Sequence, residues 1–306
     1  MVWPLGYETV ILAPGDGGYG SFFTKEKTMS GFDDFQKKRD FIVCIDSDGC
    51  AMDTMNIKHI RCFGPCMVKE WGLEEWEDDI LSRWNDINLY TMTRGINRFK
   101  GLAMALAEID RKYRKIEGIS ALATWAEDAP ELSNAALEKI LDVNSIFSKA
   151  PNWSRSVNEE IEKLPKEEIK PFEGVKEAFG KIHESCDIAV VSSANPEAVR
   201  QEWERFGLLE MADIVCTQDM GSKAYCISRI LEKGYETEHV LMCGDAPGDE
   251  KSAAENGVLF YPILVGHEDE SWKRLPKEAL QRFMERSYLG AFQDRVKKEF
   301  FTNLSK

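Results

Sequence analysis

Phe41-Ile-Val-Cys-Ile45 is an unbroken apolar run, rich in β-branched residues and closed by Asp46. A run of that kind suits a strand buried on both faces of a parallel sheet. From about 55 to 165 the pattern changes to steps of three and four. Trp71, Leu73, Trp76, Ile80, Leu81 and Trp84 recur in this way, as do Ile96, Phe99, Leu102, Ala103, Leu106 and Ile109. This predicts an all-helical segment. Within it Ser133 is placed to cap a helix over 134–147. The stretch 163–171, with two prolines and five charges, reads as the return linker.

From 173 onward helices and strands alternate. Helices are predicted over 173–184, 196–206, 222–233 and 248–256, and strands over 187–191, 213–217, 239–243 and 258–262. Gly207, Gly234 and Gly257 are natural helix stops. Alternation of this kind builds a parallel sheet with right-handed crossovers. The expected architecture is α/β: a three-layer αβα Rossmann-like core carrying an inserted all-helical cap. The expected division is a 1–40 extension, a core of 41–55 with 168–266, a cap over 56–167, and a helical extension over 267–306. In the last segment Leu280, Phe283, Met284, Phe292, Val296 and Phe300 form an apolar stripe. That stripe either packs on the body or makes a homodimer contact.

The first 28 residues are Gly- and aromatic-rich without periodicity. Gly15, Gly17 and Gly20 spell a formal GxGxxG, but no amphipathic helix follows to hold a pyrophosphate, so the segment reads as a loop. Met29 resembles a second start. The net charge is −14, from 39 basic and 53 acidic residues, which argues against a nucleic-acid footprint or an anionic membrane partner. No stretch approaches the roughly 20 apolar residues of a membrane helix. Eight scattered cysteines without a CxxC pair suggest a reduced, cytoplasmic protein. Cys62 and Cys66 lack a second Cys/His pair nearby in sequence and make a poor zinc site.

Four signals fall at or near the carboxyl ends of predicted strands, the edge where open parallel sheets bind ligands. Asp46 and Asp48 crowd two carboxylates, which calls for a cation or for divided roles as nucleophile and general acid/base. Ser192 and Ser193 offer hydroxyls and N–H groups to a phosphoryl oxygen. Lys223, at a helix start, supplies a point charge for phosphate. Asp245 and Asp249 in Gly244-Asp-Ala-Pro-Gly-Asp249 add the oxygen donors of a Mg²⁺ site. Singly each is an ordinary turn or cap; their order and placement carry the argument.

Together these motifs resemble the haloacid dehalogenase-like superfamily. The resemblance covers 41–55 and 170–265, and the helical insertion is similar to the first cap type of phosphoglycolate phosphatase and β-phosphoglucomutase relatives. It implies a Mg²⁺-dependent phosphatase acting on a small phosphorylated metabolite. Asp46 would be the nucleophile and Asp48 the acid/base. Asp46, the Asp48 carbonyl, Asp245 and Asp249 would hold the metal, and Ser192, Ser193 and Lys223 the phosphate. Cys50 and the Gly-Ser-Lys223-Ala-Tyr context depart from the family's usual residues. A phosphomutase uses the same core, and an idle metabolite-binding protein is the contrasting reading. A dehalogenase or a phosphonatase fits Asp48 poorly.

Specificity is expected from the cap. His59, eleven residues after Asp48, is one candidate. Arg94, Asn97 and Arg98 would share a face if helical, and their two guanidiniums could grip a second anionic group on the substrate.

Overall fold

The computed structural model describes residues 31–305. The Gly15–Gly20 loop and the Met29 start lie outside them. Five strands form one wholly parallel sheet: β1 (Phe41–Ile45), β2 (Cys186–Val191), β3 (Ile214–Cys216), β4 (Val240–Gly244) and β5 (Leu259–Pro262). Their spatial order is β3-β2-β1-β4-β5. β1 therefore sits at the centre, between β2 and β4. The chain winds outward one way from β1 to β3, then restarts on the other side with β4. The crevice between β1 and β4 is the point where such sheets bind ligands.

The apolar continuity of β1 has its explanation in the layers. Phe41, Val43 and Ile45 belong to one buried cluster, and Ile42 and Cys44 to another on the opposite face. The first face is covered by helices Val175–His183 and Glu268–Arg274. The second is covered by helices Lys223–Leu231 and Ala291–Leu304, with the Phe300 ring 5.4 Å from that of Phe260. The apolar stripe of the C-terminal segment is thus buried in its own chain. Leu280, Phe283, Phe292, Val296 and Phe300 are buried there, and Met284 packs against the first cluster.

All regular structure between β1 and β2 is helical. The run 55–71 widens to a π turn over His59–Phe63, and a second π turn spans Asp86–Tyr90. Helices Arg98–Lys112, Ile119–Asp128 and Ile146–Glu162 complete the layer around a core that includes Trp84, Phe99 and Trp153. The outgoing and returning strands of chain lie side by side. Asp53 N–H donates to the Lys170 carbonyl at 2.8 Å and Phe172 N–H to that of Ala51 at 3.1 Å.

The helix expected over 134–147 is corrected. Ser133 does cap it, its Oγ accepting from Ala136 N–H at 3.1 Å, but the helix runs only Asn134–Glu138. A short 3-10 turn, Leu141–Val143, follows. Asn144 then adopts extended backbone, and its Oδ1 accepts from Ile146 N–H at 3.1 Å to open a new helix. An Asx cap inside the apolar periodicity ended one helix and began another.

All eight thiols are free and buried. No helix among the described residues is long and apolar enough to cross a membrane.

Candidate active site

Asp46 is the first residue past β1, and its backbone N–H extends the ladder to the Cys243 carbonyl at 3.0 Å. Asp245 directly follows β4, the neighbouring strand. Asp249 stands in the first turn of helix Pro247–Glu255. One oxygen from each of these three buried carboxylates lies within 4.8 Å of the others. The sequence spacing explains how Asp249 reaches the group. Its Oδ2 accepts from Ala246 N–H at 3.0 Å and caps its own helix, while Oδ1 faces the site. Gly244 is required for that approach, because a Cβ there would lie 2.3 Å from Asp249 Cβ.

Lys223 closes the cluster from the opposite helix. Ser222 caps helix Lys223–Leu231, so the lysine sits at its first position. Its Nζ lies 2.9 Å from Asp46 Oδ1 and 2.5 Å from Asp249 Oδ1. Burial would strip the ammonium of its proton, but Asp249 and Asp46 outweigh burial and hold its pKa above the ordinary lysine range. Burial pushes the Asp46 carboxyl well above the usual carboxylate range, against the pull of Lys223. Asp245 is raised to about 6 by burial, with Arg94 opposing and Asp249 adding to the rise.

Asp48 has a different environment. Its Oδ1 accepts from Thr54 Oγ1 at 2.5 Å and from Lys58 Nζ at 2.8 Å. Burial would raise its pKa, but Lys58 and Thr54 more than offset that and leave it below the usual value. Lys58 in turn reaches Glu202 Oε1 at 3.2 Å. Between the two acids, Ser47 Oγ accepts from Trp203 Nε1 at 2.8 Å, and the Cys50 carbonyl accepts from Trp272 Nε1 at 2.8 Å. Gly49 completes the turn with φ +80°. A Cβ there would sit 2.6 Å from an Arg94 nitrogen and 2.8 Å from Asp245 Oδ2, so glycine is needed both for conformation and for space.

Ser192 follows β2, next to β1, and is buried. Its Oγ accepts from Ala194 N–H at 3.1 Å. Ser193 is exposed. Asp219 accepts from Thr217 Oγ1 at 2.5 Å within its own turn, as a loop acid does.

The shared helical face of Arg94, Asn97 and Arg98 is corrected. Helix Arg98–Lys112 begins at Arg98, and Asn97 is its cap, accepting from Phe99 N–H at 2.9 Å. Arg94 lies before it in a turn ended by Gly95 at φ +70°. The two guanidiniums diverge. Arg94 is buried and its Nε donates to Asp245 Oδ2 at 2.6 Å. Arg98 is held by Ser154 Oγ at 3.0 Å and Asn158 Oδ1 at 2.8 Å, over the Phe63 ring. His59 stacks on Phe63 with ring centroids 4.5 Å apart. Burial and then Arg94 lower its pKa to about 3, so the ring is neutral.

Sequence reading missed Thr54, Lys58 and Glu202. Thr54 and Lys58 follow Asp48 by six and ten residues, a spacing that places them on the first turns after the motif. Glu202 is 144 positions from its partner Lys58 and leaves no local trace.

Residues 126–263 match the model of the haloacid dehalogenase-like hydrolases. The match takes in Ser192, Lys223, Asp245 and Asp249 but not Asp46 and Asp48. No curated protein matches the chain. Among solved structures, a haloacid dehalogenase-like family hydrolase of Streptococcus pneumoniae shares the fold at 13% identity and a TM-score of 0.50. The alignment covers 79% of this chain and 98% of that one. Also similar are a predicted phosphoglycolate phosphatase of Haemophilus somnus (12% identity, TM-score 0.45, 73% and 84% covered) and CbbY of Rhodobacter sphaeroides, solved with phosphate (15%, 0.41, 72% and 85%). The match to the haloacid dehalogenase-like hydrolases is thus carried by residues 126–263, across three of the four motifs, and the parallel sheet places all four along one edge.

Proposed function

We propose that this protein is a Mg²⁺-dependent phosphatase that hydrolyses a small phosphorylated metabolite through an aspartyl-phosphate on Asp46. One observation carries the reading. Asp46, at the switch point of the sheet, has a cation 2.9 Å away and two further buried carboxylates grouped with it. Asp48, two residues on, has the opposite electrostatic environment. Lys223 beside Asp46 favours the ionised carboxylate that a nucleophile needs, and Lys58 with Thr54 hold Asp48 in a separate set of contacts.

In the proposed reaction an Asp46 oxygen forms a bond to phosphorus as the bond to the leaving alkoxide breaks. Asp48 enters this step protonated, against the pull of Lys58 and Thr54, and gives that alkoxide its proton. It then takes a proton from the water whose oxygen displaces Asp46 and frees phosphate. Thr54 and Lys58 favour the ionised Asp48 that accepts this second proton. Lys223, the Ser192 hydroxyl and the Ser193 N–H offset the phosphoryl charge, the Ser192 N–H being bonded to the Cys216 carbonyl.

The donor set fits a hard divalent cation. It is all oxygen, it is buried, and Asp245 Oδ1 has no hydrogen-bond partner. Asp46, Asp245 and the Asp48 carbonyl would hold Mg²⁺. Asp249, with both oxygens already engaged, suits an outer role. The ion would supply Lewis-acid neutralisation of the phosphoryl oxygens.

The helical insertion over 56–167 is proposed as a cap, joined to a core of 41–55 and 168–266, with 1–40 and 267–306 as extensions. Of the four candidates in the cap, Arg94 reaches the site at Asp245, while His59 and Arg98 pack at Phe63 and Asn97 caps its helix, so any part of the last three in specificity is indirect. The test is phosphate release from a panel of phosphorylated metabolites, with and without Mg²⁺, beside Asp46→Asn. Mg²⁺-dependent release lost in the variant supports the reading. Turnover that regenerates a phosphorylated product and needs a bisphosphate primer would reassign the protein as a mutase.

A further inference from the structure

Arg94 is the one residue of the helical insertion whose guanidinium is bonded to a carboxylate of the acidic cluster among the described residues. Its Nε donates to Asp245 Oδ2 at 2.6 Å, and both side chains are only 1% exposed. A second nitrogen donates to the Leu89 carbonyl at 2.7 Å, which ties the guanidinium to the turn that carries it. Lys223 takes Asp46 and Asp249. With all three carboxylates ionised, as metal ligands must be, two organic cations leave the cluster one charge negative. A dication entering beside them would turn that balance to one charge positive, inside a buried site where like charges repel strongly. A phosphoryl dianion arriving with the dication restores the original balance.

We infer that Arg94 is a built-in competitor of the metal: its guanidinium holds Asp245 against a divalent cation, and an anion in the site relieves that competition. The inference rests on the metal reading above. Cation affinity and anion affinity are then coupled through Arg94, and linkage makes the coupling reciprocal. A protein built in this way leaves its metal seat weakly filled until a phosphorylated ligand is present.

The test is calorimetric titration of the full chain with Mg²⁺, with and without inorganic phosphate, in the wild type, Arg94→Gln and Arg94→Lys. Gln keeps a hydrogen-bond donor near Asp245 and removes the charge; Lys keeps the charge. Without phosphate, Arg94→Gln should bind Mg²⁺ about tenfold more tightly than wild type, and Arg94→Lys no more tightly. Phosphate should tighten Mg²⁺ binding in the wild type and do so less in Arg94→Gln. A melting curve gives an independent readout. Arg94→Gln should melt lower than wild type without metal and gain more from Mg²⁺. Equal or weaker Mg²⁺ binding by Arg94→Gln would overturn the inference, as would tightening by Arg94→Lys to the same degree. Absence of Mg²⁺ binding by all three proteins would overturn the metal seat itself, and the inference with it.

Discussion

Asp48 lies two residues from Asp46, yet its carboxylate is held 2.8 Å from Lys58 Nζ, on the first helical turns of the insertion. Lys58 also reaches Glu202 Oε1 at 3.2 Å, so one buried ammonium serves two acids. Removing one partner of a buried ion pair leaves an uncompensated charge. Lys58→Met should therefore cost about 2–4 kcal/mol, the lower end allowing for the partial exposure of Asp48. Glu202→Gln in the same protein should recover a good part of that loss. Denaturant melts of both single variants and the double variant check this. Additive losses would show that the three groups are not coupled.

The C-terminal segment reaches the active-site turn through one hydrogen bond, from Trp272 Nε1 to the Cys50 carbonyl at 2.8 Å. Trp272 is fully buried, so its replacement leaves that carbonyl without its donor. Trp272→Phe should lower stability by about 1–3 kcal/mol. Because the turn also carries Asp46 and Asp48, kcat should fall while KM changes little. Unchanged stability and kcat would remove the segment from any supporting role.

His59 gives the fold a pH dependence. Burial, with Arg94 next, lowers its pKa from 6.5 to about 3. The folded protein therefore holds the ring neutral while the unfolded chain takes up a proton. A depressed folded pKa contributes stability that is present above 6.5 and lost as pH falls toward 3. His59→Gln, which cannot titrate, should lose stability less steeply than wild type between pH 7 and pH 4. Parallel profiles in urea melts would contradict this origin of the acid sensitivity.

The strand-end acids were legible because each lies at the end of an apolar run that the sheet buries on both faces. Phe41–Ile45 and Val240–Gly244 announce themselves, and Asp46 and Asp245 follow at once. Lys223 was legible from its helix-start position, though only the fold brings it to Asp46. The Arg94–Arg98 face was misread because a positive-φ glycine and an Asn cap intervene before the helix starts. Gly95 and Asn97 were the signals available. The pairs Lys58–Glu202 and Trp272–Cys50 join residues 144 and 222 positions apart, and no local pattern encodes contacts at that range.

The account turns on Asp46 as the group that takes the phosphoryl. The most direct measurement is chemical trapping. The protein is mixed with Mg²⁺ and para-nitrophenyl phosphate, quenched in acid during turnover, reduced with borohydride and mapped by mass spectrometry. Hydride reduction of the aspartyl-phosphate carbonyl releases phosphate and leaves homoserine at the phosphorylated position. The account predicts homoserine at position 46, dependent on substrate and absent from Asp46→Asn, which should also turn over at least about 10³-fold more slowly. Modification at another residue, or turnover that survives Asp46→Asn, would contradict it.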